Sequence, residues 1–237
     1  MNKLFALCLV ILLFSACKKT TTIEELPTPL QTVEGFVALY NEFGQALPNS
    51  AGATVSLDST SFSAITDSAG KFVIKNVPAG SYTVSYTKNG YGTIKQNYHD
   101  YQGGGNYLLL SVNLYANSTS TITGLSATYS NDASGKFINL SGTLNPSYNP
   151  TEPRSVILFV SLSSSVSPTN YMQAFVGINN DVFLSFDPYN YYTGGQTIYM
   201  VVYGIGGNSY YTNAVTGKVI YTSLGPSPSN TTYIAVP

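Results

Sequence analysis

The chain has 237 residues, a formal net charge of −1 and only 9% charged side chains, with one arginine (Arg154) and one histidine (His99). This excludes electrostatic nucleic-acid binding, which needs a basic stripe to displace the counterions of the phosphate backbone. It also leaves an enzyme few titratable groups. Tyrosine is abundant at 20 residues while tryptophan is absent. Such β-branched and aromatic runs, punctuated by Gly, Pro and Asn, predict many short strands, and no sustained 3.6-residue periodicity follows the first segment.

At the amino end, Lys3 precedes the apolar run Leu4 to Phe14, and Ser15-Ala16 precede Cys17. That is the layout of a secretory signal peptide. As a helix the run reaches roughly 16 Å against the ~30 Å of a bilayer core, too short to span. Phe14-Ser15-Ala16-Cys17 resembles the bacterial lipobox. The resemblance implies cleavage after residue 16, a thioether-linked diacylglycerol on Cys17 and acylation of its freed amine. Two or more chains give stable anchoring where one is marginal. The alternative is an ordinary signal peptide with a Cys at its boundary. Cys8 is the only other cysteine and leaves with the signal peptide, so the mature chain is expected to hold no disulfide and no thiolate metal site. Lys18 rather than Asp follows Cys17, which by resemblance to the enterobacterial sorting rule favours the outer membrane, its periplasmic or surface face left open.

Residues 17–32 carry the lipid-bearing Cys and a Thr- and Pro-rich stretch with Pro27 and Pro29, expected as an extended tether. A polar run at Asn117-Ser118-Thr119-Ser120 divides the remainder into 33–116 and 117–237, both reasonable sizes for β-sandwiches. In the first piece, strands are expected near Val33–Tyr40, Ala53–Leu57, Ser61–Thr66, Lys71–Lys75, Ser81–Lys88, Gly92–Gln96 and Leu108–Tyr115. Asp67-Ser68-Ala69-Gly70 and Lys88-Asn89-Gly90 mark turns. Phe72 and Ile74 alternate with lysines, and Tyr82, Val84 and Tyr86 alternate with polar residues, so each set points inward.

These segments carry a family resemblance. Thr66-Asp67-Ser68-Ala69-Gly70-Lys71-Phe72-Val73-Ile74 followed by Val77-Pro78-Ala79-Gly80-Ser81-Tyr82, with Val33-Glu34-Gly35-Phe36-Val37 before and Lys88-Asn89-Gly90-Tyr91 after, resembles the carboxypeptidase regulatory-like domain. The resemblance implies a transthyretin-like seven-stranded sandwich that acts as a non-catalytic accessory module, common on Bacteroidota-like surfaces. Related collagen-adhesin modules join a first-strand Lys to a last-strand Asn. Here Asn113 is present but the first strand has no Lys, which argues against that crosslink.

The second piece predicts strands near Thr121–Tyr129, Lys136–Leu144, Val156–Leu162, Tyr171–Val176, Val182–Phe186, Thr197–Ile205, Val219–Thr222 and Thr232–Val236. Thr197 to Ile205 is apolar on both alternating faces, as for a strand between two layers. With Gly206-Gly207-Asn208-Ser209-Tyr210-Tyr211 behind it, this stretch resembles the F strand and F–G loop of a fibronectin type III domain, which implies an immunoglobulin-like sandwich with Tyr199 as tyrosine-corner residue. The fold expected is thus all-β: two tandem antiparallel sandwiches, transthyretin-like then immunoglobulin-like.

The chemistry on offer is sparse. His99 and Asp100 are adjacent on an extended segment and point apart, so a dyad is disfavoured. Asp181 and Asp187 are a conceivable glycosidase pair, yet both sit where Asp serves turns. Asp58 and Asp67 flank a hairpin and are conceivable calcium ligands, though turn capping explains them more simply. No metal and no cofactor is therefore expected, and no catalytic residue is assigned. Surface recognition remains: Tyr98 and Tyr101 within an Asn97–Gln102 loop, and Tyr189, Tyr191 and Tyr192 pooled with Tyr210 and Tyr211. Tyrosine rings with Asn and Ser beside them supply stacking area and adaptable hydrogen bonds, but packing across strands accounts for the same rings more readily, and the absence of Trp counts against glycan binding. The expectation is a lipid-anchored envelope module with a glycan, peptide or envelope-protein partner. The rival is a hydrolase, or an accessory to one, acting on extracellular polymers.

Overall fold

A computed structural model describes residues 30–237 apart from Ser134, Tyr148 and 179–183. The expected signal peptide, Cys17 and the tether up to residue 29 lie outside the described residues, as does Asp181. The described chain is all-β.

The first sandwich uses β1 (Leu30–Tyr40), β2 (Thr54–Leu57), β3 (Ser63–Ile65), β4 (Lys71–Pro78), β5 (Gly80–Thr87), β6 (Ile94–Tyr101), β7 (Asn106–Leu108) and β8 (Val112–Tyr115). One sheet runs β4-β1-β7, with β8 continuing beside β1, and the other runs β3-β2-β5-β6. β1 is antiparallel to β4 and parallel to β7 and β8. Strict alternation in β1 sends Val33, Val37 and Leu39 inward, where they meet Phe72, Ile74, Val84, Tyr86 and Leu114 in one core. Outward positions on β5 and β6 are polar: Thr83, Ser85, Lys95 and Asn97. The turn after β3 is held by Asp67, whose Oδ1 accepts from the amides of Ala69 and Lys71, both at 2.9 Å. Gly70 there has φ +80°, and a Cβ would fall 2.0 Å from the carbonyl oxygen of Val37.

Three expectations need correction here. The first strand begins at Leu30, inside the expected tether. The last strand is split, because Leu109 turns into the core while Leu110 turns to solvent. Asn97–Tyr101 is strand rather than loop: Ile94, Gln96 and Tyr98 face one way and Lys95, Asn97 and His99 the other, and all but His99, where the register shifts, pair with β5. The Asn, His and Asp residues disguised a period of two.

The second sandwich uses β9 (Thr121–Asp132), β10 (Gly135–Asn145), β11 (Ser155–Ser161), β12 (Gln173–Ile178), β13 (Leu184–Phe186), β14 (Thr197–Ile205), β15 (Tyr210–Thr212), β16 (Val219–Tyr221) and β17 (Thr232–Ala235). Sheet β13-β10-β9 faces sheet β12-β11-β14-β17, and β15-β16 form a separate hairpin. This three-on-four arrangement is immunoglobulin-like. Val156, Leu158 and Val160 of β11 and Ile198, Met200 and Val202 of β14 point into the core between the sheets. Their alternates Ile157, Phe159, Val201 and Ile205 build a second core on the outer face. A third layer covers that face. Phe159 meets Tyr171 at 5.1 Å and Tyr221 of the hairpin at 5.8 Å, while the Tyr171 hydroxyl donates to the Val219 carbonyl at 2.6 Å. The two-faced character read from Thr197–Ile205 reflects this arrangement. Tyr199, expected at a tyrosine corner, instead pairs across strands with Tyr233, ring centroids 5.9 Å apart.

Candidate functional site

The two sandwiches meet through close backbone contacts and one buried ion pair. Gly207 N–H donates to the Glu42 carbonyl at 3.2 Å, and at the linker Asn117 N–H donates to that of Gly90 at 2.8 Å and Ser118 N–H to that of Ser223 at 3.0 Å. Ser223 Oγ donates to the Tyr115 carbonyl at 2.9 Å. Glycines permit this approach. A Cβ at Gly206 would fall 1.9 Å from the Ala116 oxygen, one at Gly92 2.4 Å from the Ser223 nitrogen, and one at Gly207 2.3 Å from the Tyr115 ring. The seam has no room for side chains there.

The only arginine locks the same seam. Arg154, 8% exposed and just ahead of β11, donates from Nη1 to Ser120 Oγ at 3.0 Å, Thr119 Oγ1 at 3.1 Å and Glu42 Oε2 at 3.4 Å. Its guanidinium lies 5.1 Å from the centroid of the Phe43 ring. Glu42 in turn accepts from the Thr119 amide at 2.6 Å and the Thr119 hydroxyl at 2.7 Å. One ion pair thus holds the loop after β1, the linker and β11 together. Its net worth as a pair is small or negative after desolvation, but either charge left alone is costly.

Along this seam runs a groove of about 430 Å³ lined by Glu42, Phe43, Gly44, Tyr115, Pro153, Ser155, Val176, Gly207 and Asn208. A second groove of about 400 Å³, between the edges of β6 and β8, shares Tyr115 and Asn208 with it and adds Ile94, Gln96, Ser111, Val112, Asn113, Ser209 and Tyr210. The lining is amides, hydroxyls, backbone and rings, with Pro153, Val176, Ile94 and Val112 adding apolar surface. Its one charged side chain, Glu42, is already neutralised by Arg154. A third cleft of about 190 Å³ opens between the outer face of β5–β6 and the β15–β16 hairpin.

The tyrosines expected to bind divide three ways. Tyr101 is 3% exposed and Tyr192 5% exposed, so both are core residues and the surface role expected of them is corrected. Burial raises the Tyr101 phenol above its ordinary range, and burial with the neighbouring Tyr191 pushes that of Tyr192 up to about 12. Tyr98 is half-buried, stacked beside Tyr101 at 6.1 Å, its hydroxyl bonded to Gln96. Tyr189 and Tyr191 are exposed but lie at the far end of the second sandwich. There Tyr189 donates to the Pro237 carbonyl under Lys136, and Tyr191 sits edge-on to Phe175. Tyr210 is exposed in the second groove, and Tyr211 packs against the first core while lining the third cleft. The expected pooling of Tyr189–Tyr192 with Tyr210–Tyr211 therefore fails. The nine residues of β14 separate the two sets, and such a strand spans roughly 26 Å.

The groups weighed for catalysis or metal are occupied or dispersed. His99 is exposed on β6. Asp187 accepts from the Tyr189 amide at 2.9 Å and starts the short 3-10 turn Pro188–Asn190, the turn role expected of it. Asp67 likewise caps its turn. Asp58 does not: it accepts from Ser85 Oγ at 2.6 Å and Lys95 Nζ at 2.7 Å. Burial pushes the Asp58 carboxyl up, but the hydrogen bonds from Lys95 and Ser85 and the Lys95 charge outweigh it, leaving the carboxyl below its ordinary range. Among the described residues no three of His, Cys, Asp and Glu gather closely enough to hold a metal ion. Sequence reading missed Glu42, Phe43 and Tyr115, though it grouped Asn208 with Tyr210 and Tyr211. Its one available signal was Arg154, a lone arginine in a chain poor in charge.

The architecture defines an all-β protein of two joined sandwiches. Residues 32–123 match the model of the carboxypeptidase regulatory-like domain. No curated protein matches the chain. Among solved structures, an interface mutant of a type II cohesin–X-dockerin complex from Acetivibrio cellulolyticus is similar at 30% identity over 37% of this chain, with TM-score 0.30. The chain spans 58% of that structure's length. A DUF3823 family protein from Bacteroides uniformis is similar at 12% identity over 88% of this chain and 100% of the other, TM-score 0.31. One from Parabacteroides merdae is similar at 16% identity over 84% and 98%, TM-score 0.28.

Proposed function

We propose that this protein is a non-catalytic binding or scaffolding module of the bacterial cell envelope, anchored by lipid on Cys17, with its ligand surface at the seam between the sandwiches. The observation that carries the reading is the pair of adjoining grooves, about 430 and 400 Å³, whose exposed lining is uncharged and whose walls come from both sandwiches. Pockets of this size hold a drug-sized ligand or a few units of a chain. An uncharged lining of amides, hydroxyls and rings suits a neutral glycan or an extended peptide segment, including one belonging to an envelope protein. The strand order of the second sandwich supports assigning it to the fibronectin type III group, and the lipobox with Lys18 behind it supports the outer membrane.

The test is retention of the full chain on glycan and peptide arrays, repeated with Asn208→Ala combined with Tyr210→Ala. Specific retention lost in that variant and kept in Tyr191→Ala supports the seam. Retention lost only with Tyr191→Ala moves the site to the far end of the second sandwich. Metabolic labelling with a clickable fatty acid tests the anchor, and a Cys17→Ala protein that still takes up label overturns it.

A further inference from the structure

The third cleft, apart from the seam grooves, has hydrogen-bonding groups left over in a particular pattern. One wall is the outer face of β5–β6. Thr83 Oγ1 donates to Asn97 Oδ1 at 2.7 Å, and Asn97 Nδ2 has no hydrogen-bond partner among the described residues. Lys95 spends one of its three N–H donors on Asp58. The other wall is the hairpin turn. Asn213 Oδ1 accepts from the amides of Val215 and Thr216 at 2.9 and 3.0 Å, and its Nδ2 has no hydrogen-bond partner among the described residues. Donors therefore approach the cleft from both sandwiches, with remaining lone pairs of Asp58 and Thr83 among them. The two charges present, Lys95 and Asp58, cancel within a 2.7 Å pair.

An anion would have to pull Lys95 from Asp58, and a cation the reverse. A neutral ligand with several hydroxyls, each both donor and acceptor, meets these groups without breaking the pair. At about 190 Å³ the cleft falls below the roughly 300 Å³ at which pockets begin to take drug-sized ligands. It admits one ring, not a chain.

We propose that the cleft between β5–β6 and the β15–β16 hairpin is a subsite for a single neutral sugar ring, free or at the end of a glycan. Asn97 and Asn213 donate to its hydroxyls from opposite sides, and the Asp58–Lys95 pair accepts and donates along its edge. A ring held there touches both sandwiches and fastens the hairpin to β6. The subsite does not depend on the seam grooves.

The test is calorimetric titration of the full chain with glucose, galactose, mannose, arabinose and xylose, their methyl glycosides, and glucuronate and glucosamine as charged counterparts. For a ligand of about a dozen heavy atoms the affinity expected is on the order of millimolar. At least one neutral sugar binds saturably, its charged counterpart binds more weakly, and amide exchange of 210–221 slows in its presence. Asn97→Ala and Asn213→Ala each weaken binding by roughly three- to tenfold, and Asn213→Asp, which keeps the Oδ1 that caps the turn and removes only the donor, weakens it as well. A methyl glycoside that binds as well as the free sugar identifies a glycan terminus, and one that does not identifies a free monosaccharide. Absence of saturable binding by every neutral sugar overturns the proposal. So does binding that ignores both asparagine variants; if that binding is lost with Asn208→Ala, the seam reading stands and this subsite falls.

Discussion

The two sandwiches solve the same problem with different numbers of layers. In the first, strands such as β1 alternate apolar and polar, so each sheet has one dry face and one wet face, and two layers suffice. In the second, β11 reads Ser-Val-Ile-Leu-Phe-Val-Ser with nearly every residue buried, and β14 is similar. A sheet built from such strands has two dry faces and requires cover on both. The cover for the outer face is the β15–β16 hairpin with the segment around Tyr171, and the same hairpin leans on the first sandwich through Tyr211. The lesson is that the greasier sheet, by needing a third layer, supplies the piece that joins the two halves.

The sharpest way to break this contrast is Phe159→Ala. It removes the ring at the centre of the outer core and is expected to cost about 3–5 kcal/mol, seen as a lower midpoint of denaturant unfolding of the second sandwich. An equal truncation effect on both halves would mean they unfold as one unit. Next comes Arg154→Met, which leaves Glu42 buried without its partner and is expected to cost about 3 kcal/mol. If Glu42→Gln is added, most of that loss should return. Gly206→Ala drives a methyl into the Ala116 carbonyl and is expected to cost about 1–3 kcal/mol, with the two halves melting in separate calorimetric transitions.

Alkali sharpens the comparison differently. Burial raises the phenols of Tyr86 and Tyr101 in the first core and of Tyr192 in the second. A raised native pKa means the stability is fully present below the unfolded value near pH 10 and is lost as pH rises through the native one, at ~1.4 kcal/mol per pH unit for each group. Tyrosinate absorbance of these three should therefore appear only with unfolding. The smallest effect lies in acid. The native carboxyl of Asp58 is lowered, so its contribution is present above the unfolded pKa and disappears as pH falls through the native one. The pair is half-exposed, so Asp58→Asn should flatten the acid limb of the stability curve by less than about 1 kcal/mol.

How much of this was legible follows from range. Local alternation disclosed most strands of both sandwiches, though not β15, which was read as part of a loop, and the doubly apolar faces of Thr197–Ile205 announced a strand between layers. The turn role of Asp67 was likewise written within four residues. What was hidden was contact at a distance. Nothing near residue 42 says that its carboxylate will meet residue 154, and the proximity of Tyr192 to Asn208 in sequence conceals a strand's length between them. Composition misled at Asn97–Tyr101, where polar residue types suggested a loop while their spacing was that of an edge strand.

The placement of β1 has a mechanical consequence. Its amino end enters at Leu30, and the sandwich is left at Tyr115, the carboxyl end of β8, its parallel neighbour. Tension applied between those two points acts along the strands, so the bonds joining β1 to β8 are sheared together rather than peeled one by one. If the chain is anchored ahead of residue 30, as proposed, and pulled through its second sandwich, the load falls on a ladder that must fail all at once.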